Sequence, residues 1–492
     1  MNEPAARATA HHSLKRVVGA VALGTLLAAT GCESGISDLA GSARSVHMDR
    51  LSIQPYPDNP HYWMYAGEPI LLVGGSDEDN LFNHPHIPPA GLEAQLDLLA
   101  SVGGNYVRNT MANRDEGNVW PFAMTEDGQY DLGQWNDEYW SRFRRFLEMT
   151  LERGQIVQIE IWDRFDFARE PWDRNPFNPV NNSTYTPVES SLPISIETHP
   201  GQRESPFFRS TPEQEDLPLV LGYQRALVDR ILSISLGFPH VLYTVSNETN
   251  ESEIWSAYWA DFIHERAERA GREVYVTEMW DGRTPDDPQV SHTYDDPDRY
   301  GFIDISQNNH HTGQLHWDYA QQHRERVAQA PRPINNVKIY GGPNVGGGHE
   351  EGTRKFWRNL FGGMASSRFH RGPGAGVGLD GTAQAHLRSV RLLTDRMTIF
   401  TMEPRNDLLL GRGEDEAYAL AEPGRQYAVY FPDGGSIALD PNGEAGTFTL
   451  RWLDVLGSEW SSESTVSVGD PLALEPPGEG PWVALLTVAA GG

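Results

Sequence analysis

A short apolar run that ends on a carboxylate is the first chemical feature of this sequence. Residues 240–248 read HVLYTVSNE, so Asn247 and Glu248 come directly after a β-branched and aromatic stretch. A carboxyl group that is buried beside aromatic side chains has a raised pKa and stays protonated near neutral pH. Trp162 and Trp280 are candidates for such neighbours. Glu248 is therefore predicted to be a proton donor.

A proton donor of this kind is suited to cleaving an acetal, which usually needs a second carboxyl group as nucleophile or as the base that activates water. Glu278 is the preferred second carboxylate, and Glu160 and Asp163 are the alternatives. Asn247 is suited to holding a sugar hydroxyl. Arg108 is suited to orienting the partner carboxylate or lowering its pKa.

The elements that must position these residues are parallel strands joined by helices. From about residue 50 to residue 400, short β-branched runs alternate with amphipathic stretches, which predicts an α/β fold with a (β/α)8 TIM barrel. No glycine-rich phosphate loop follows the first strand, which disfavours a dinucleotide-binding open sheet. The predicted strands cover residues 69–75, 105–110, 155–162, 240–246, 273–280, 302–309, 336–342 and 365–371.

Strand alternation then predicts which side chains face the barrel interior. The inward residues near the carboxyl ends of the strands should converge at the top of the barrel, where TIM-barrel enzymes have their active sites. This places the predicted catalytic pair Glu248 and Glu278 together with a set of predicted substrate-binding residues. That set comprises Arg108, Asn247, Trp162, Asp163, Trp280, Asn308, His310 and Tyr340.

The remaining segments predict a domain order. After about residue 403 short alternating strands are separated by PDGG, PNGE and DVLG turns, which indicates an all-β sandwich. Residues 51–402 are assigned to the barrel and residues 403–492 to the sandwich. The long stretch from Asp163 to about Gln214 is predicted to form a wall of the substrate cleft.

The N-terminus is typical of a targeting signal. Lys15 and Arg16 precede an apolar run that ends at Cys32, the only cysteine of the chain. This resembles a bacterial lipoprotein signal with Cys32 as the lipidated residue. Residues 1–32 are then the signal peptide and residues 33–50 a tether, and the expected location is the cell envelope, with the outer membrane favoured.

Charge and composition exclude other classes of function. The formal net charge of −29 leaves no basic patch for nucleic acid. The histidine-containing segments 83–89 and 308–316 lack the spacing of a zinc site, so no metal is predicted, and no cofactor either. The expected partner is a carbohydrate, and a membrane is contacted only through the lipid anchor.

The residues also resemble a known family. The Asn-Glu pair that ends the fourth strand, with Arg108 late in the second, resembles the clan A glycoside hydrolases, in which that glutamate is the acid/base. The segment YAVYFPDGGSIALD and its continuation resemble the so-called collagen-binding domain that follows apiosidase-like barrels. HEEGTRKFWRNLFGGMASSRFHR and NPFNPVNNSTY resemble further parts of that family, so the resemblance covers most of residues 50–490.

One departure from the family concerns the seventh strand. Clan A enzymes have their nucleophilic glutamate there, whereas this chain has IYGGPN, and Glu350 and Glu351 come only in the following helix. An inverting mechanism with another base, and a barrel that has lost activity, both remain open. The resemblance thus implies a glycoside hydrolase, with a catalytically silent glycan-binding lipoprotein as the alternative and an adhesin-like protein as a further one.

Overall fold

The computed structural model describes residues 52–84, 91–372 and 374–489, all within one compact unit. The predicted signal peptide, the lipidated Cys32 and the tether lie outside the described residues. Within the described part of the chain, no helix combines the length and the apolar character needed to cross a bilayer.

The first part of the described chain is a mixed α/β region. Its strands are β1 (Gln54–Pro55), β2 (Trp63–Tyr65), β3 (Glu68–Ile70), β4 (Leu72–Gly75), β5 (Tyr106–Thr110), β6 (Phe122–Met124), β7 (Tyr130–Trp135), β8 (Ile156–Asp163), β9 (Val241–Asn247), β10 (Val276–Thr277), β11 (Ile303–Asp304), β12 (Ile334–Asn335) and β13 (Ser366–Phe369).

The helices lie between these strands. They are α1 (Leu92–Ser101), α2 (Asp137–Glu152), α3 (Arg169–Asp173), α4 (Pro187–Ser190), α5 (Pro218–Ser235), α6 (Glu253–Arg269), α7 (Pro288–Asp295), α8 (Gly313–Arg326), α9 (His349–Phe361) and α10 (Gly381–Thr394). Short 3₁₀ helices cover Arg164–Phe167, Pro200–Gln202, Pro206–Arg209, Ser306–His310, Val327–Gln329, Ile399–Thr401 and Asn406–Leu408.

Parallel pairing joins most neighbours among β4, β5 and β8–β13 in chain order, whereas β1–β3 and β6–β7 pair antiparallel. β5, β8, β9 and β10 form one parallel ladder, β11 pairs with β12, and β13 pairs with β4. Backbone hydrogen bonds extend this order, because Asn105 N donates to Val73 O at 2.9 Å and Ala365 N donates to Ile334 O at 2.9 Å. The last strand of the series therefore lies beside the first, and the carboxyl ends of these strands meet on one side.

Two hydrophobic layers explain this arrangement. The outward residues of the strands pack on the helices, as Val157, Ile159 and Val245 do. At the amino ends of the strands, a separate cluster around Trp63 of β2 closes the bottom and includes Leu72 and Phe302. Burial of these apolar side chains holds the strands in register and leaves the polar ends of the strands on the other side.

Seven of the eight predicted strands are present with different lengths, whereas the predicted strand 336–342 has only isolated bridges at Ile339, Tyr340 and Gly342 and is preceded by β12. β8 and β9 match the predictions closely, whereas the predicted strand 273–280 is reduced to the two residues of β10. The predicted strand 302–309 ends after Asp304 and continues as a 3₁₀ helix. Side chains alternate regularly between the two faces only along a continuous strand. The alternation therefore indicates which side chains point inward only in the longer strands.

The final part of the chain is antiparallel. Its strands are β14 (Glu403–Pro404), β15 (Leu409–Leu410), β16 (Tyr418–Glu422), β17 (Gln426–Phe431), β18 (Ile437–Leu439), β19 (Gly446–Asp454), β20 (Glu459–Trp460), β21 (Ser464–Val468), β22 (Leu472–Leu474) and β23 (Trp482–Val488). One sheet has the order β14-β16-β17-β23-β19-β20, with β21 also on β19, and the other has the order β15-β18-β22. The two sheets share a core that includes Phe431, Leu439 and Leu486.

Candidate active site

Glu248 lies immediately after β9, at the carboxyl end of the parallel ladder. Its backbone has φ 50°, in the left-handed region that non-glycine residues rarely adopt. The next residue is anchored, because Thr249 N donates to Met279 O at 2.8 Å and Asp281 N donates to Thr249 O at 2.7 Å. The chain therefore turns sharply at Glu248, and such strained positions are often found at functional sites.

The Glu248 carboxylate is held by two donors. Lys338 Nζ and Tyr340 OH both contact its Oε1 atom. Burial by itself would raise the pKa of Glu248, but the Lys338 charge and these two hydrogen bonds outweigh burial and hold the pKa well below its usual range. The sequence predicts an uncharged, proton-donating Glu248, whereas these contacts favour the anion, because a buried lysine that the prediction did not include lies against the carboxylate.

Arg108 organises the neighbouring groups. Its guanidinium donates to Glu160 through Nε at 2.7 Å and Nη2 at 2.6 Å, and to Asp79 through Nη1 at 2.6 Å. Nη2 also donates to Asn247 Oδ1 at 3.1 Å, and Lys338 Nζ reaches the same oxygen at 3.1 Å. Arg108 and Asn247 thus lie beside Glu248, as predicted. Their polar atoms form hydrogen bonds to other side chains of the protein, which fits a role in positioning Glu248.

Glu278 does not lie in this cluster, which corrects its prediction as the second carboxylate. Its Oε2 accepts from Ser256 Oγ of α6 at 2.5 Å, and its Oε1 accepts from the backbone N–H groups of Ser246 at 2.8 Å and Met279 at 3.0 Å. The carboxyl group is therefore enclosed between the strands and α6. Burial raises its pKa to about 8, so it is mostly neutral at pH 7. The prediction failed because β10 is too short for alternation to set the facing of Glu278.

The structure also corrects the prediction that Trp162 and Trp280 bind substrate. Trp162 is fully buried against Trp255 and Trp259 of α6, with ring centroids at 5.8 and 5.2 Å, and it cannot stack on a sugar. Trp280 is likewise buried, with its ring 5.9 Å from that of His292 of α7. Large apolar rings gain more from burial between sheet and helices than from exposure at the strand ends.

Two polar residues have structural partners instead of the predicted substrate contacts. Asp163 Oδ2 accepts from Arg114 at 2.8 Å, and its Oδ1 caps the following 3₁₀ helix by accepting from Phe165 N at 3.0 Å. Asn308 is buried, and its Nδ2 donates to His316 O at 2.9 Å. These contacts do not include Glu248, Lys338 or Tyr340.

His310 and Tyr340, by contrast, adjoin Glu248. Their ring centroids lie 4.7 Å apart, and Tyr340 donates to the carboxylate. Burial lowers the pKa of His310 to about 4, so the imidazole is neutral at pH 7 and can donate or accept a hydrogen bond. The structure therefore brings together Arg108, Asn247, Glu248, His310 and Tyr340 out of the predicted set.

The sequence prediction missed further members of the cluster. Lys338 lies in the predicted seventh strand, and an isolated lysine between apolar residues in NVKIYGG was a usable signal. Asp79, in the loop after β4, accepts from Arg108 and lies 3.1 Å from Arg371 Nε, and these cations hold its pKa well below the usual range despite burial. Asp79 had no such signal, because the GSDED segment offers several equivalent acids.

A cavity of about 580 Å³ lies next to Asp77 and Glu78, in the segment that leads to Asp79. It is lined by the loops that follow β4, β12 and β13, including Glu78, Gly341 and Gly372. These residues directly follow or precede Asp79, Tyr340 and Arg371 in the chain. Glu78 is partly exposed, and burial raises the pKa of its carboxyl group.

No group of three or more histidine, aspartate or glutamate side chains suited to a metal ion is present in the described ranges. Arg164 adds positive charge near Glu248 and is fixed by Asp281 at 3.0 Å and by Asn250 Oδ1 at 3.1 Å. The site thus combines the Glu248 carboxylate, two cations that favour its charge, and a neutral imidazole, which is an arrangement able to bind and activate a hydroxylated molecule.

Comparison with known proteins gives a fold-level likeness. No protein-family model matches the sequence, and no curated protein matches it at a significant level. Among solved structures, a glycoside hydrolase family 5 protein from Bacteroides vulgatus is similar, with a TM-score of 0.61, 13% identity, and coverage of 89% of this chain and 93% of that one. A protein described as a glycoside hydrolase has a TM-score of 0.61 at 12% identity, over 90% of this chain and 98% of that one. The chain therefore shares the overall fold of these proteins along nearly its whole described length.

Proposed function

We propose that this protein is a glycoside hydrolase that cleaves a glycosidic bond in a plant or microbial polysaccharide or oligosaccharide. The observation that carries the proposal is the Glu248 carboxylate, which lies at the end of a parallel strand, on a strained residue and among oriented polar groups. The fold-level likeness to glycoside hydrolases supports it. The chain order of the parallel strands further supports a closed (β/α)8 barrel over residues 51–402, followed by a β-sandwich over residues 403–492.

The ionised state of Glu248 alters the division of roles. An anionic carboxylate acts as nucleophile or as the base for water, so another carboxyl group must protonate the leaving oxygen. Glu78 is our candidate for that acid, because it borders the cavity, is partly exposed and has a pKa raised by burial. Glu160 is less suited, because both of its oxygens accept hydrogen bonds from Arg108.

The test is a screen of the purified protein against plant and microbial polysaccharides with analysis of the products. We expect Glu248→Gln to lower hydrolysis of the best substrate by a factor of about 10³ or more while binding is largely retained. Glu350→Gln is the matched control, because Glu350 is an exposed residue of α9 paired with Arg354. Equal activity of Glu248→Gln and the wild type would contradict the proposal.

A glycan-binding protein without turnover is the second candidate. The contact between Lys338 and Glu248 favours it, because this lysine precedes the place where the resembling enzymes have an acid. In that case the protein would bind an oligosaccharide with an affinity that Glu248→Gln leaves unchanged, and no product would form from any member of the screen.

A further inference from the structure

Lys338 is a buried cation at the centre of the site. Its side chain is 4% exposed, and it precedes Ile339, which forms a parallel bridge with Phe369 at the end of β13. Placing an ammonium group in such surroundings is unfavourable unless it is paired with an anion and hydrogen-bonded. Lys338 meets both conditions through Glu248 and Asn247.

The contacts to Glu248 are asymmetric. Lys338 Nζ and Tyr340 OH both reach Oε1, and neither contact involves Oε2. The Glu248 side chain is 12% exposed, so part of the group remains accessible. With Oε1 occupied, Oε2 is the oxygen that can meet a bound molecule.

The orientation of this pair is fixed from several directions. Asn247 Oδ1 receives both Lys338 Nζ and Arg108 Nη2 at 3.1 Å, which ties the lysine to the arginine network. Lys338 Nζ also lies 5.5 Å from the centre of the Tyr340 ring, within the range of a cation–π contact. Removal of the ammonium group would therefore change the charge balance at Glu248 without removing the anchors of its backbone.

We propose that Lys338 is a positioning residue that holds Glu248 in its anionic form, with Oε1 clamped and Oε2 presented to the substrate. Glu248 then acts as a base or nucleophile and not as a proton donor. This inference rests on the proposed function for the identity of the substrate. The effect of Lys338 and Tyr340 on the ionisation of Glu248 can be tested without a substrate.

Other charged or titratable groups facing Glu248 do not replace Lys338. Arg164 lowers the pKa of Glu248 through its charge and donates no hydrogen bond to the carboxylate. His199 and His310 also interact with Glu248, but burial lowers the pKa of each, so both are neutral at pH 7. Lys338 is thus the cation in direct contact with the carboxylate.

The experiment measures the ionisation of Glu248 directly. Infrared difference spectra between each protein and its Glu248→Gln counterpart isolate the carboxyl band of this residue as a function of pH. We expect a midpoint below pH 4 in the wild type, an increase of about 1 to 3 pH units in Lys338→Met, and a smaller increase in Tyr340→Phe. Lys338→Arg, which restores the positive charge, should return the midpoint to within about 1 unit of the wild type.

Catalytic measurements separate this inference from the proposed function. If a substrate is found, the acidic limb of the kcat/KM profile should move to higher pH in Lys338→Met by the same amount as the infrared midpoint. If the infrared midpoint of Glu248 shifts in Lys338→Met but no glycan is hydrolysed, the proposed function is contradicted and the positioning role of Lys338 is supported. If glycans are hydrolysed but neither Lys338→Met nor Tyr340→Phe changes the infrared midpoint of Glu248, the positioning role of Lys338 is contradicted. If Lys338→Met does not fold, Tyr340→Phe alone must raise the midpoint.

Discussion

Glu248 and Glu278 show how neighbours decide the state of a buried carboxyl group. Burial raises the pKa of both residues. Glu248 has a lysine in contact, and its pKa is held well below the usual range, whereas Glu278 has only neutral hydrogen-bond donors, and its pKa rises to about 8. A charged partner outweighs desolvation, and neutral donors do not.

This difference predicts the behaviour of Glu278→Gln. Because the pKa of Glu278 is higher in the folded than in the unfolded protein, its stabilising effect is complete below pH 4.5 and is lost as pH rises towards 8. Glutamine has no such dependence, so the stability of Glu278→Gln relative to the wild type should increase by more than about 1 kcal/mol between pH 5 and pH 8. Urea unfolding at both pH values measures this.

Activity provides the control for that variant. Since Glu278 is enclosed against α6, Glu278→Gln should keep hydrolytic activity within about threefold of the wild type. A loss comparable to that of Glu248→Gln would return Glu278 to the catalytic role that its position in the sequence suggested.

At the scale of elements, the loops after β12 and β13 depend on close backbone contact. A Cβ at Gly342 would lie 1.9 Å from Gly374 O, and one at Gly376 would lie 2.4 Å from His370 O. The two loops border the cavity next to Tyr340. Glycine is therefore required here because the neighbouring backbone leaves no space for a side chain.

Gly342→Ala should accordingly separate the two loops. We expect a loss of about 1 to 3 kcal/mol in unfolding free energy and a reduced affinity for glycans, because the wall of the cavity moves. Gly222→Ala, at an exposed position of α5 with no atom within 4 Å of the added Cβ, is the control and should be neutral or slightly stabilising. Chemical denaturation and glycan binding of the two variants provide the comparison, and equal stability of both would show that the loops adapt.

Element length also explains which sequence predictions held. Along β8, Gln158 lies on the inner face that alternation defines, where it donates to Thr244 Oγ1 at 2.9 Å and Asp304 Oδ2 at 3.0 Å. It fails for Trp162 at the end of the same strand and for Glu278 beyond β10. At these positions the packing of α6 against the strands determines side-chain direction.

For the molecule as a whole, the C-terminal sheets and the α/β region share one hydrophobic cluster. Trp357 of α9 stacks on Tyr430 of β17 with ring centroids 5.3 Å apart, and Arg358 Nη1 lies 2.9 Å from Asp415 Oδ1. Ser389 Oγ of α10 donates to Val455 O at 2.7 Å. Such continuous packing favours a single cooperative unit over two loosely linked domains.

Calorimetry can test this cooperativity. Trp357→Ala removes packing between the two parts, and Tyr427→Ala removes packing inside the C-terminal sheets, with an expected cost of about 3 to 5 kcal/mol each. Both variants should shift one and the same thermal transition to lower temperature. Two transitions, of which Tyr427→Ala moves only one, would instead establish independent domains.

The sequence by itself determined the alternation of strands and helices, the antiparallel C-terminal region and the place of Glu248 at a strand end, because hydrophobic periodicity and turn residues are local signals. Only the tertiary structure decided that Glu248 is an anion, that Glu278 is enclosed and that Trp162 is core. Glu248 and Lys338 are 90 residues apart in the chain. The state of a carboxyl group depends on charges within a few ångströms, and sequence spacing carries no record of those distances.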